Sequence, residues 1–139
     1  MSLFAVFDIA GSALSAQSLR LNVTASNMAN ANSVSSSSGE TYRARHPIFS
    51  TVMDGFAFEE GPGRGVQVDG IIESMTPLRR DYKPGHPLAD EDGYIFLPNV
   101  NIIEEMANMI SASRSYQTNV EVMDAAKQML QRTLALGQR

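Results

Sequence analysis

Apolar residues recur along this chain at two different periods. Between Leu3 and Asn30, Phe7, Leu14, Leu21 and Met28 return every seven positions, with Ala10, Gln17 and Thr24 between them at the alternating three-four spacing. This heptad-like stripe has one large and one small column, and it predicts a single long helix of ~40 Å at 1.5 Å per residue. Gly11 weakens that helix by roughly 1 kcal/mol relative to alanine. Asn22, Asn27, Asn30 and Asn32 lower its propensity further toward the end, so the helix is expected to fray or lose order in an isolated monomer. A second helix opens after Pro98, where Asn101 is placed to cap it and Glu104 occupies the third helical position of a capping box. Its stripe runs Ile102, Met106, Met109, Ser113, Tyr116, Val120, Met123, Lys127, Leu130 and Leu134, widened by Ile103 and Ile110 and closed by Gly137. At ~50 Å it far exceeds the usual helix of about 11–12 residues.

Between the helices the period shortens. Ser33 to Gly39 is low in complexity and predicts a flexible loop. Tyr42 to Val52 holds β-formers around Pro47, which predicts two short pieces or an edge strand. Met53 to Gly65 is irregular. Val66, Val68 and Ile72 alternate with Gln67, Asp69 and Glu73, a half-buried strand with Gly70 as its bulge. Leu78 to Tyr82 predicts another strand, and turn residues from Asp90 to Gly93 precede a last short one, Tyr94 to Leu97. The expected fold is mainly α with a small β-rich insert. Its N-terminal assembly helix covers 1–32, a serine-rich loop 33–40, the β-rich insert 41–98 and the C-terminal assembly helix 99–139, the two helices forming a coiled-coil pair.

Composition sharpens the picture. The chain has 139 residues, the size of one small domain, with 43% hydrophobic and only 19% charged positions. The charge is unevenly spread: Asp8 and Arg20 alone are charged in the first 39 residues, and Arg114 alone between Met106 and Val120. Water-facing helices normally carry Lys, Glu and Arg. Here Ser12, Ser15, Ser18, Ser26, Ser111, Ala112, Ser115 and Asn119 are expected on the outer faces, small residues that permit close approach by other chains. Such surface is a liability in a monomer and an asset in a polymer. Interfacial membrane binding would require a basic polar face, which is missing, and there is no apolar run long enough for a transmembrane helix. The N-terminus lacks a basic n-region and is interrupted by Asp8, unlike a secretory signal. A net charge of −4 without a basic run argues against nucleic acid.

Candidate chemistry is thin. Without cysteine, thiolate metal sites and thiol nucleophiles are excluded. His46 and His86 lie forty positions apart, and the acids at Asp90, Glu91 and Asp92 follow no zinc or calcium spacing. Gly61 to Gly65 lacks the following helix and Lys-Ser/Thr of a phosphate loop. Of the pair Glu104–Glu105, the first is explained as a cap. Met106, Met109, Met123 and Met129 are expected to fill gaps at contacts. No catalytic residue, metal or cofactor is expected. Two other classes compete with a polymerising subunit: a soluble helical binding module such as an export chaperone, and, more remotely, a metal-dependent hydrolase.

The string from Leu19 to Asn30, Leu-Arg-Leu-Asn-Val-Thr-Ala-Ser-Asn-Met-Ala-Asn, resembles the N-terminal signature of bacterial flagellar rod and hook proteins. His86 to Asp90, Gly93-Tyr-Ile, Pro98 to Asn101 and the run from Glu104 to Val122 resemble proximal rod subunits of the FlgC type. The resemblance implies a structural subunit of the periplasm-crossing drive shaft, exported without cleavage by the flagellar type III apparatus. It implies contacts with itself and with sister rod subunits: other proximal rod proteins, the distal rod protein and the FliE-type adaptor between ring and rod. The interface expected from the stripes is Phe7, Leu14, Leu21 and Met28 on the first helix, with Met109, Tyr116, Val120, Met123 and Leu130 on the second.

Overall fold

The computed structural model describes residues 3–52 and 64–137; the stretch 53–63, read above as irregular, lies outside the described residues. In chain order the elements are α1 (Leu3–Asn30), β1 (Arg45–Val52), β2 (Gly65–Glu73), β3 (Arg79–Tyr82), β4 (Tyr94–Leu97) and α2 (Ile102–Gly137).

The helix ends follow local chemistry. At the end of α1, the Asn30 carbonyl accepts both the Ser33 amide at 3.0 Å and the Ser33 hydroxyl at 2.8 Å. These bonds satisfy an acceptor that the helix leaves open. Asn101 caps α2, its Oδ1 accepting the Ile103 amide at 3.1 Å. The expected return bond from Glu104 does not form, since that side chain is exposed and makes no hydrogen bond among the described residues. The cap is single.

The β region is two separate antiparallel pairs, β1–β2 and β3–β4. Every strand of a two-stranded sheet is an edge, which is where Pro47 is tolerated, and β1 runs through it as one strand. The β1–β2 register pairs Ile48 with Gly70 and Phe49 with Val68, so the bulge leaves Asp69 unmatched beside Gly70. The serine-rich loop is less free than its composition suggests: Ser35 exchanges both backbone hydrogen bonds with Phe96 of β4, each 3.1 Å. Gly93, at φ 82°, closes the turn into β4, where an added Cβ would press on Tyr82 and Pro84.

The two helices pack against each other. Ala31, just after α1, shares a small core with Val100, just before α2. Farther along, Arg20 bonds Asn108 at 3.1 Å. The helices therefore run antiparallel, side by side. Their fully buried apolar positions are mostly small: Ala10, Ala16 and Val23 on α1, Ala112 and Ala126 on α2. This corrects the placement of Ala112 on an outer face. Of the other positions expected there, Ser15, Ser18 and Ser111 are exposed, while Ser12, Ser26, Ser115 and Asn119 are half-buried. Alanine contacts let the helix axes approach closely, which leaves larger side chains at the margins of the seam.

Candidate assembly surface

Two asparagine side chains hold the helices to the β region. Asn27 is fully buried. Its Nδ2 donates to the Arg45 carbonyl at 2.8 Å, and its Oδ1 accepts the Arg45 amide and the Tyr42 hydroxyl, both at 2.9 Å. A side-chain amide thus pairs with both backbone groups at the start of β1, as a neighbouring strand would. Asn99, between β4 and α2, ties three more segments together: Oδ1 accepts the Ala44 amide at 2.8 Å, and Nδ2 donates to the carbonyls of Ser74 and Thr76 at 3.2 and 2.8 Å. Arg45 completes the joint, lying 5.4 Å over the Tyr42 ring and pairing with Glu73 at 3.1 Å. At the far end of the hairpin, the Ser12 hydroxyl accepts the Val66 amide at 3.0 Å and donates to the Ile9 carbonyl at 2.8 Å. Gly65, at φ 142°, sits so close to Ser12 that any side chain there would collide with it.

On this frame the expected interface residues lie beside the seam. Phe7, Leu14, Leu21 and Met28 are half-buried, as are Met109, Met123 and Leu130, while Tyr116 and Val120 are each 38% exposed. Other apolar side chains of α2, not among the expected interface residues, stand farther out: Ile103 at 80%, Ile110 at 54% and Leu134 at 67% exposure. Outside the helices, Met75 is 88% exposed. Glu105 is buried and Glu104 exposed, so that pair does not converge on any site. His86 Nδ1 accepts the Leu88 amide at 3.1 Å, an ordinary turn contact. No helix among the described residues is long and apolar enough to cross a membrane.

Comparison with known proteins fits this arrangement of terminal helices. Residues 7–35 match the family model described as flagella basal body rod protein, and residues 91–136 match that of the flagellar basal body rod FlgEFG protein C-terminal region. Over 99% of its length the chain is 50% identical to the flagellar basal-body rod protein FlgC of Salmonella typhimurium, all of which is covered. The corresponding protein of Yersinia enterocolitica is 52% identical at the same coverage. That of Borreliella burgdorferi is 37% identical, with 99% of each chain covered. The chain belongs to the FlgC family of flagellar basal-body rod proteins.

Membership of the FlgC family makes the chain a structural subunit of the basal-body rod and not an enzyme. The alternative of a soluble binding module such as an export chaperone finds no support among relatives that match over the full length. Sequence reasoning missed Asn27 and Asn99 as the joint between the FlgC helices and the β region. The available signal was asparagine itself, recurring just where a helix ends and another begins.

Proposed function

We propose that the terminal helices build coiled-coil layers in the proximal rod and transmit torque through many shared contacts. The lateral interface runs through Phe7, Leu14, Leu21 and Met28 of α1 and Met109, Tyr116, Val120, Met123 and Leu130 of α2. The carrying observation is the set of large apolar side chains left exposed along α2, with Ile103 at 80%, Ile110 at 54% and Leu134 at 67% exposure. α1 carries only Asp8 and Arg20 as charges, and α2 between Met106 and Val120 only Arg114, so these stretches are cheap to desolvate once other subunits surround them. The neighbours are further copies, sister proximal and distal rod proteins, and the FliE-type adaptor. Delivery is by the flagellar type III export apparatus, without a cleaved leader, into the rod that spans the periplasm.

Val120→Asp tests this reading. Val120 lies at the margin of the seam, so the variant should keep the monomer's helical signal and melting behaviour. A carboxylate buried at a subunit contact costs several kcal/mol, enough to stop assembly. Cells carrying the variant should export the protein, lack rods and fail to swim. Normal swimming at wild-type protein levels would remove Val120 from the interface.

A further inference from the structure

The elements of the chain fall into separate packing groups. β1 and β2 pack on α1 and on each other, β3 packs on β4, and α2 packs on α1 alone. The position of α2 along α1 is therefore set by the seam between them and by the Asn99 joint where α2 begins.

On that seam Arg20 lies level with Asn108, its Nη2 donating to Oδ1 at 3.1 Å. Ala16 then falls level with Ala112, and both are buried, at 3% and 0% exposure. Two polar groups beside them are unsatisfied. Gln17 Oε1 is buried and accepts no hydrogen bond. Glu105 is 3% exposed, and its carboxylate has no partner among the described residues. The positive end of α2 offsets only part of the cost of burying that charge.

The spacings of the four residues match. Gln17 precedes Arg20 by three positions, and Glu105 precedes Asn108 by three. Because the helices are antiparallel, moving α2 three residues toward its own C-terminus, about 4.5 Å, sets Arg20 level with Glu105 and Gln17 level with Asn108. The guanidinium then gains a carboxylate, and the freed Asn108 amide can donate to Gln17 Oε1. All four side chains are paired. Arg20, Glu105 and Asn108 already line one cavity of about 300 Å³, which gives the exchange room. The close approach of the helices survives the step, because Ala13 takes the place of Ala16 opposite Ala112. What opposes it is the joint: the step draws Asn99 off the Ala44 amide and Val100 away from Ala31.

We propose that the hairpin has two registers three residues apart, the joint holding the first and the polar groups of the seam favouring the second. Stepping of one packed element past another by about a turn is an established form of switching. This device lies within one chain, so it stands or falls separately from the choice of neighbours.

The chain has no cysteine, so spin labels on Ala25→Cys and Glu121→Cys, both exposed positions, report without background. Pulsed dipolar spectroscopy of the purified full-length chain should give one main separation. Asn99→Ala should enlarge a second population, longer by about 4 Å, at least fivefold. Adding Glu105→Gln to that variant should remove the gain. An unchanged distribution in Asn99→Ala would overturn the second register, and so would a longer population that survives Glu105→Gln. Arg20 swinging to Glu105 while the helices stay in place gives the first of these results.

Ala16→Leu poses the same question with the joint intact. Its added bulk faces Ala112 in the first register and Met109 in the second, so the longer separation should dominate. Persistence of the shorter one counts against the step. Glu105→Gln alone keeps the shape of the side chain and removes an unpaired buried charge, so it should raise the thermal midpoint. A lowered midpoint would mean that the carboxylate is already paired, and the ground for a second register would be gone.

Discussion

Asn27 shows what one buried amide can carry. Its oxygen accepts two hydrogen bonds and its nitrogen donates one, all to the segment from Tyr42 to Arg45. Replacing it with aspartate keeps the shape, removes the donor to the Arg45 carbonyl and buries a charge. The expected loss is about 3 kcal/mol, read as a lower denaturation midpoint at unchanged slope. Asn27→Ala should cost slightly less, because it leaves the Arg45 groups unpaired without adding a charge. From composition, Asn27 only lowers helix propensity, and the sequence holds no local mark of its partners because they lie fifteen and eighteen residues away across a loop. Asn101 is the opposite case: its cap contact spans two residues, and position alone revealed it.

The helices and strands were legible wherever the deciding physics is local. The bounds of α1, of β4 and of the start of α2 follow from periodicity, turn residues and capping, all short-range signals. Which column of each stripe lies deepest was not legible. Phe7, Leu14, Leu21 and Met28 form the larger column and are half-buried, whereas Ala10 and Thr24 of the small column are buried. Closeness of approach over a long seam sets small side chains innermost. Overpacking tests this. Ala112→Leu should destabilise the helix pair by about 1–3 kcal/mol, whereas Ser111→Leu, one position around the helix and exposed, should change stability by less than about 0.5 kcal/mol. Thermal melts of the two purified variants compare the faces directly. Equal effects would mean that the seam lies elsewhere.

At the scale of the molecule, stability is distributed unevenly. The apolar core shared by both helix ends is little more than Ala31, Ala44 and Val100 with Tyr42 packed against it. Each sheet has only two strands, and such sheets are marginal in isolation. Order should therefore be greatest near the asparagine joint and fall away along the helices. Hydrogen exchange on the purified chain should show the slowest amides in Val23–Ala31 and around Ala44, and fast exchange from Lys127 onward. Uniform protection along α2 would contradict this gradient.

The pins at Asn27 and Ser12 turn the hairpin into a measuring stick. Fifteen residues of helix separate them, about 22 Å, and the six steps from Arg45 to Thr51, the partner of Val66, cover about 20 Å of strand. Neither length can change alone without pulling one peg from its hole. An insertion of one helical turn between the pegs would be tolerated only alongside two extra residues in each strand, so natural length variation in this stretch should arrive in matched sets.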